Sequence, residues 1–297
     1  MRKREPIRFV MGFSSRTTGL GLIAAGLLWG APGVCPAQIT LVEDGFDDGA
    51  RTNGADPFDV GWFSRFANPA LTIVSDNGSP GIGGGNALNV NANGGNQPMV
   101  GVVASAVTLG LNDTLIFRFD FRLTTLINSG SAFRFGLYGS NGSVVTADNQ
   151  TASDNDRGYR VVLGAGGTAG ISLSEENGSN AQILAGSDGI TLTDPGAISV
   201  NINDNEKYSA LFTITRSAAS QVDLYVAIKN SAGAVIGSAT GTDTTSPYFT
   251  FDEIAFNHAT TGEVDYRIDN LSLIIPEPSV SLLIIAAMTL IGLRAKR

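Results

Sequence analysis

Apolar and polar residues alternate strictly in one segment, with Leu115, Phe117, Phe119, Phe121 and Leu123 on one side and Arg118, Asp120 and Arg122 on the other. Side chains of a strand point alternately to its two faces, so this pattern predicts a strand with one face in a core and the other in water. The same pattern recurs at Phe133, Phe135 and Leu137, at Tyr208, Ala210, Phe212 and Ile214, and at Val222, Leu224, Val226 and Ile228. Further strands are expected over Gly61 to Phe66, Leu71 to Ser75, Ala87 to Asn91, Met99 to Val107, Tyr159 to Gly164, Phe249 to Phe256 and Val264 to Ile275. Turn residues separate them at Asn77-Gly78, Asn141-Gly142, Asn177-Gly178 and Ala232-Gly233. No ten-residue stretch between these strands carries a helical stripe. The prediction is an all-β fold, an antiparallel β-sandwich of two packed sheets.

Two details refine this pattern. Gly78 to Gly95, with its Gly83-Gly84-Gly85, is expected to be a long loop; no lysine or helix follows to make it a phosphate cradle. Near the end, Val264, Tyr266 and Ile268 alternate in one phase and Leu271 and Leu273 in the other, which predicts a β-bulge at Asp269-Asn270. A parallel β-helix would also accommodate Gly- and Asn-rich turns, but the chain shows no fixed repeat period.

The two ends read differently. Residues 1 to 37 carry Arg2, Lys3, Arg4, Arg8 and Arg16 ahead of an apolar stretch from Leu20 to Trp29, the pattern of a secretory signal helix. Cys35-Pro36-Ala37 offers small residues for cleavage between Ala37 and Gln38 by signal peptidase. Cys35 invites a lipoprotein reading, but the bulkier Val34 precedes it. At the other end, Pro276-Glu277-Pro278 is followed by Ser279, the apolar run Val280 to Leu293, and a basic close of Arg294, Lys296 and Arg297. The prolines resist helix and sheet, the apolar run would enter a bilayer as a short helix, and the cations would hold its end on the cytoplasmic side. As a helix the run reaches only about 21 Å against a hydrocarbon core of about 30 Å, which favours processing over lasting anchorage.

In order, spacing and composition, Pro276 to Arg297 resembles the PEP-CTERM sorting signal of Gram-negative bacteria that make exopolysaccharide. The resemblance implies recognition by an exosortase in the inner membrane and delivery to the cell surface or extracellular matrix. The organisation expected is a signal peptide over 1 to 37, a β-sandwich over 38 to 275 and a sorting tail over 276 to 297.

Residues 38 to 275 carry 11 Lys and Arg against 25 Asp and Glu, a surface that repels nucleic acid and anionic lipid. Past Cys35 there is no cysteine, so neither disulfides nor thiol chemistry are available to this region, and a hydrophobic core must hold it. The single histidine, His258, makes Ser-His-Asp catalysis and histidine-based zinc sites unattractive, and it reads as a solvated turn residue beyond the Phe249 to Phe256 strand.

The opening Glu43-Asp44-Gly45-Phe46-Asp47, the long central strands and the closing Tyr266-Arg267-Ile268-Asp269-Asn270-Leu271-Ser272-Leu273 resemble a concanavalin-like or laminin-G-like jelly roll. First and last strands are commonly neighbours in such sandwiches. Asp44, Asp47 and Asp269 are therefore candidates for a structural calcium ion, which takes six to eight oxygens. Glu263, Asp265, Arg267 and Asp269 would share a strand face, the placement jelly-roll glycosidases give their acids, but Arg267 in that row would hold neighbouring carboxyls down where a general acid needs to be raised. Among Trp62, Tyr138, Tyr159, Tyr225 and Tyr248, the rings Tyr138 and Tyr225 fall on polar strand faces and are candidate glycan contacts, whereas Trp62 reads as a packing anchor. The sequence thus leads to an exported, non-enzymatic surface or matrix protein with no required cofactor. A carbohydrate-binding jelly roll acting on exopolysaccharide is the alternative, and a glycoside hydrolase stands third.

Overall fold

The computed structural model describes residues 38–277 apart from 53–57, 77–80, 83–84, 93–94, 125–130, 179–181, 185–188 and 260–263. The expected signal segment with Ala37, the residues Glu263 and Pro278, and the tail cations Arg294, Lys296 and Arg297 lie outside the described residues. Among the described residues, no helix is long and apolar enough to cross a membrane.

In chain order the strands are β1 (Gln38–Asp44), β2 (Gly61–Ser64), β3 (Ala70–Ser75), β4 (Asn86–Ala92), β5 (Met99–Thr108), β6 (Thr114–Leu123), β7 (Ser131–Gly139) and β8 (Arg157–Ala165). They continue with β9 (Ile171–Glu176), β10 (Gly189–Thr191), β11 (Asn201–Ile202), β12 (Tyr208–Ala218), β13 (Gln221–Asn230), β14 (Val235–Asp243), β15 (Thr250–Ala259) and β16 (Val264–Pro276). The described helical structure is one 3-10 turn, Ala152–Asn155. One sheet runs β14-β13-β12-β6-β16-β4-β3, with β1 also on β16; the other runs β10-β9-β8-β7-β15-β5-β2, with β11 parallel to β8.

Each sheet puts one face into a shared core, as the alternation requires. Leu115, Phe117, Phe119, Phe121 and Leu123 of β6 are buried, and they meet Phe133, Phe135 and Leu137 of β7 and Ile254 and Phe256 of β15 from the facing sheet. Phe119 packs edge-on against Phe135 and Phe256, with centroids 4.9 and 4.8 Å away, and Phe121 stacks on Phe133 at 4.7 Å. Edge-on and offset pairs match the negative face of one ring to the positive rim of another, adding about 0.5–1.5 kcal/mol per pair beyond burial.

The long strand β16 organises its sheet. It lies along β6 on one flank, while its other flank is shared in sequence by β4 over Val264 to Ile268 and β1 over Leu271 to Pro276. The bulge expected at Asp269-Asn270 is present: the register to β6 breaks between Asp269 and Ser272, and Asn270 has φ +53. It moves the buried set from Tyr266 and Ile268 to Leu271 and Leu273. Pro276 is the last residue of β16 and pairs with Gln38, so the strand takes in the first proline of the tail motif. A proline fits there because a terminal position needs no further ladder N–H. β4, Asn86–Ala92, matches the strand expected over Ala87 to Asn91 and cuts into the long loop expected over Gly78 to Gly95.

His258 corrects the sequence reading. The ladder between β15 and β7 continues to Ala259 and Ala132, which places His258 opposite Phe133 inside the sandwich at 1% exposure. Neither ring nitrogen has a hydrogen-bond partner, and burial, with Arg134 nearby, pushes its pKa down to about 4.

Two outcomes follow for stability. Phe119→Ala should cost about 3–5 kcal/mol in a denaturant titration, because no disulfide shares the load. Between pH 6.5 and 4 the unfolded chain protonates His258 while the folded chain does not, so this residue's contribution is intact above pH 6.5 and is lost as pH falls through about 4. Unfolding titrations across that range should therefore be flatter for His258→Gln than for the wild type, by up to about 3 kcal/mol.

Candidate functional site

Two grooves and one strand face gather the chemistry that the sequence offers. The first groove, of about 540 Å³, opens where β1 meets β16 and is lined by Glu43, Asp44, Asp47, Asp48, Asp59 and Asn270, among others. Asp44 borders it but is turned to the protein: Oδ1 accepts the Phe46 amide at 3.0 Å, and Oδ2 accepts the Trp62 indole N–H at 3.1 Å. Trp62 is fully buried between Phe46 and Phe256, which makes it the packing anchor the sequence suggests. Burial raises Asp44 to about 6 despite those hydrogen bonds. Asp269 is also raised to about 6, by burial and then by the charges of Asp120, Asp47 and Asp76. Asp47 and Asp269 flank Gly45, where an added Cβ would lie 3.8 and 4.0 Å from their carboxylate oxygens. Among the described residues, no group of three or more His, Cys, Asp and Glu side chains is gathered as for a metal ion.

The β16 face carries a contact to another strand's end. Arg267 reaches across to Asp76, and Arg122 of β6 meets the same carboxylate at 2.8 Å. Asp269 accepts the Asn270 amide at 2.6 Å, within the bulge.

The second groove, of about 430 Å³, lies at one end of the sheet built on β7, β8 and β15. Its floor and walls come from the Asn141-Gly142 turn after β7, Arg157 at the start of β8, and Pro247, Tyr248 and Phe249 leading into β15. The turn needs left-handed backbone at both residues, φ +49 and +85, which asparagine and glycine accept. Tyr248 is held from several sides. Its amide donates to the Tyr159 hydroxyl at 3.0 Å, and that hydroxyl donates to the buried Asp243 at 2.9 Å. Arg157 stands 5.5 Å from the Tyr248 ring centre, within cation–π range. Glu175, beneath them, is raised to about 6 by burial and by Asp243, against the opposing hydrogen bond from Tyr248. On the rim, the Thr108 and Thr250 hydroxyls share a hydrogen bond at 2.9 Å, and Asp252 accepts both the amide and the hydroxyl of Ser140 at 2.7 Å.

The two tyrosines singled out in sequence part ways. Tyr138 is fully buried on the outer side of β7, with its hydroxyl donating to Glu176 at 2.7 Å, and it has no surface to offer a sugar. It lies under the segments that return across the sheet, among Val145, Ile183 and Leu184. Tyr225 is 38% exposed on β13, between Thr213 and Thr240 of its neighbours, on the opposite sheet from the groove. Sequence reading included Tyr248 among the rings without selecting it. The signal available was Ser246-Pro247 immediately before it, a turn that lifts a ring out of the strand pattern.

No protein-family model and no curated protein sequence matches the chain. Solved structures similar to it include a carbohydrate esterase from the Shiga toxin-encoding bacteriophage phi24B, at 14% identity and a TM-score of 0.43 over 82% of this chain and 100% of that one. The carbohydrate recognition domain of Emp47p is similar at 9% identity and a TM-score of 0.46 over 84% and 100%. The marine PL-14 alginate lyase from Aplysia kurodai is similar at 10% identity and a TM-score of 0.47 over 79% and 98%. The expectation that the chain is non-enzymatic finds no support in this set, in which an esterase and a lyase stand beside a recognition domain.

Proposed function

We propose that the chain is an exported protein that binds polysaccharide outside the cell through the groove at Tyr248. The observation that carries this reading is the fixed tyrosine ring in a polar-rimmed groove. A pyranose presents an apolar C–H face and an equatorial belt of hydroxyls, and it needs a ring to stack on with hydrogen-bonding groups at the edge. Tyr248 supplies the ring, held by Tyr159 and Arg157 before any ligand arrives, and Asn141, Thr108, Thr250 and Asp252 supply the edge. Holding the ring in advance lowers the ordering cost of binding. Arg157 and Asp252 nearly balance in charge within the groove, which fits a neutral glycan better than a polyanion at the surface of an acidic protein.

The export half of the reading rests on the chain ends. The basic and apolar start to Ala37 and the resemblance of Pro276 to Arg297 to a PEP-CTERM signal support passage through the secretion machinery and handling by an exosortase at the inner membrane. The groove would then meet exopolysaccharide at the surface or in the matrix.

Binding of the purified chain to the producing cell's own polysaccharide tests the first half. Tyr248→Ala should weaken it at least about tenfold, while Tyr225→Ala on the other sheet should leave it unchanged. Undiminished binding by Tyr248→Ala would overturn the groove assignment. For the second half, mass spectrometry of the mature C-terminus should find a truncated end near Pro276-Glu277-Pro278 in a producing cell and Arg297 in one lacking the exosortase. Arg297 in both would overturn the sorting role.

A further inference from the structure

The segment between β7 and β8 crosses the outer face of its sheet and buries two carboxylates against each other there. Glu253 projects from β15 opposite Tyr138, and Asp156 closes the 3-10 turn Ala152–Asn155 immediately before β8. They are 1% and 4% exposed, and their carboxyl groups face one another. Burial raises the pKa of both, and Glu253 raises Asp156 further.

Among the described residues, no cation is paired with either carboxyl. Arg65, near the same turn, is committed to Asp154 through both carboxylate oxygens, at 2.7 and 2.5 Å. Asp252 and Asp154 add further negative potential at Asp156. The hydrogen bond to the pair is from the Val145 amide to Glu253 Oε1, at 3.3 Å. The two carboxyls lie within hydrogen-bonding reach of each other; beyond that contact, both oxygens of Asp156, Oε2 of Glu253 and the hydroxyl of Ser153, which is 1% exposed, have no partner. Ser153 belongs to the same turn, and its carbonyl accepts the Asp156 amide at 3.4 Å.

Buried oxygens in this number are decisive. A single proton shared by the two carboxyls would make one O–H···O bridge and so satisfy two of the orphaned oxygens, leaving at least one carboxylate oxygen and the serine hydroxyl unmet. A hard divalent cation takes several oxygens at once and removes the like-charge repulsion. We propose that Asp156 and Glu253, with Ser153 of the same turn, form a calcium-class cation site that pins the Ser140-to-Asp156 segment onto the outer face of the sheet. Two carboxylates with a hydroxyl, backbone carbonyls and water make up the six to eight oxygens that calcium accepts, whereas magnesium demands a tighter octahedron and fits such a mixed set less well. The site is separate from the acidic groove at β1 and β16 and stands whether or not the Tyr248 groove binds a glycan.

The test is a calcium titration of the chelator-stripped full chain followed by thermal unfolding, with magnesium in parallel. Wild-type Tm should rise by roughly 5 °C at a hundredfold excess over Kd, and magnesium should do less. Asp156→Asn and Glu253→Gln should each abolish the rise, whereas Asp47→Asn in the acidic groove should keep it. Terbium bound by the wild type should emit by transfer from nearby tyrosine and be displaced by calcium, a readout that needs neither variant to fold. The proposal is overturned by a wild-type Tm unmoved at about 10 mM calcium, by absence of calcium-displaceable terbium emission, by a rise that survives both substitutions, or by a rise lost in Asp47→Asn. If the pair instead shares a proton, stability will ignore calcium and both amide variants will be at least as stable as the wild type.

Discussion

The aromatic layer between the sheets is the contact on which the rest of this protein depends. Phe117, Phe119 and Phe121 of β6 interlock with Phe133, Phe135 and Phe256 across the core, and Trp62 closes one end of the layer. With no cysteine beyond Cys35, nothing covalent ties one sheet to the other. The strands around this layer are also paired far apart in sequence, β1 with β16 and β5 with β15, so closing the sandwich pays a large chain entropy before any contact forms. The density of rings offsets it. That is also why polar groups can be carried inside: Asp44 on the Trp62 indole and Asp243 on the Tyr159 hydroxyl are held by rings already fixed in the core.

What could be read from the sequence, and what could not, follows from where the apolar signal lies. β6, β7, β12 and β13 alternate large apolar residues with polar ones and were legible residue by residue. β14 was invisible because its inward positions are Gly237, Ala239 and Gly241. These lie under the chain near Leu192 to Val200, where a Cβ at Gly241 would sit 2.5 Å from the Leu192 carbonyl, so close backbone packing replaces side-chain hydrophobicity. β1 and β9 were missed for a related reason: they are short and half-covered or polar on one face, and their place is set by partners distant in sequence. The bulge in β16 was legible from phase alone, since a one-residue slip exchanges the two faces. His258 was misread because a strand's end is fixed by its ladder partner, here Phe133, and not by its own pattern.

The site was legible in kind more than in place. Sequence alone pointed to tyrosines on polar faces, yet a polar face is not a wet one: Tyr138 is covered by the segment that also buries Val145, Glu253 and Asp156. That segment begins at Ser140, and its first turn forms a wall of the Tyr248 groove. The adjacent residues Asp252 and Glu253 of β15 then face different tasks, one on the rim holding Ser140 and the other beneath the crossing chain.

The pairing of Gln38 with Pro276 has a mechanical consequence. A protein held by its tail feels any tug at Glu277, directly beyond the end of β16. That strand is flanked by β6 on one side and by β1 and β4 on the other, and the hydrogen bonds of all three ladders lie across its axis. Tension along the strand therefore loads many bonds together in shear rather than peeling them one by one, and at the bulge the Asn270 side chain donates to Asp120 of β6. A pull from beyond Pro276 would thus be borne by a strand laddered to three others.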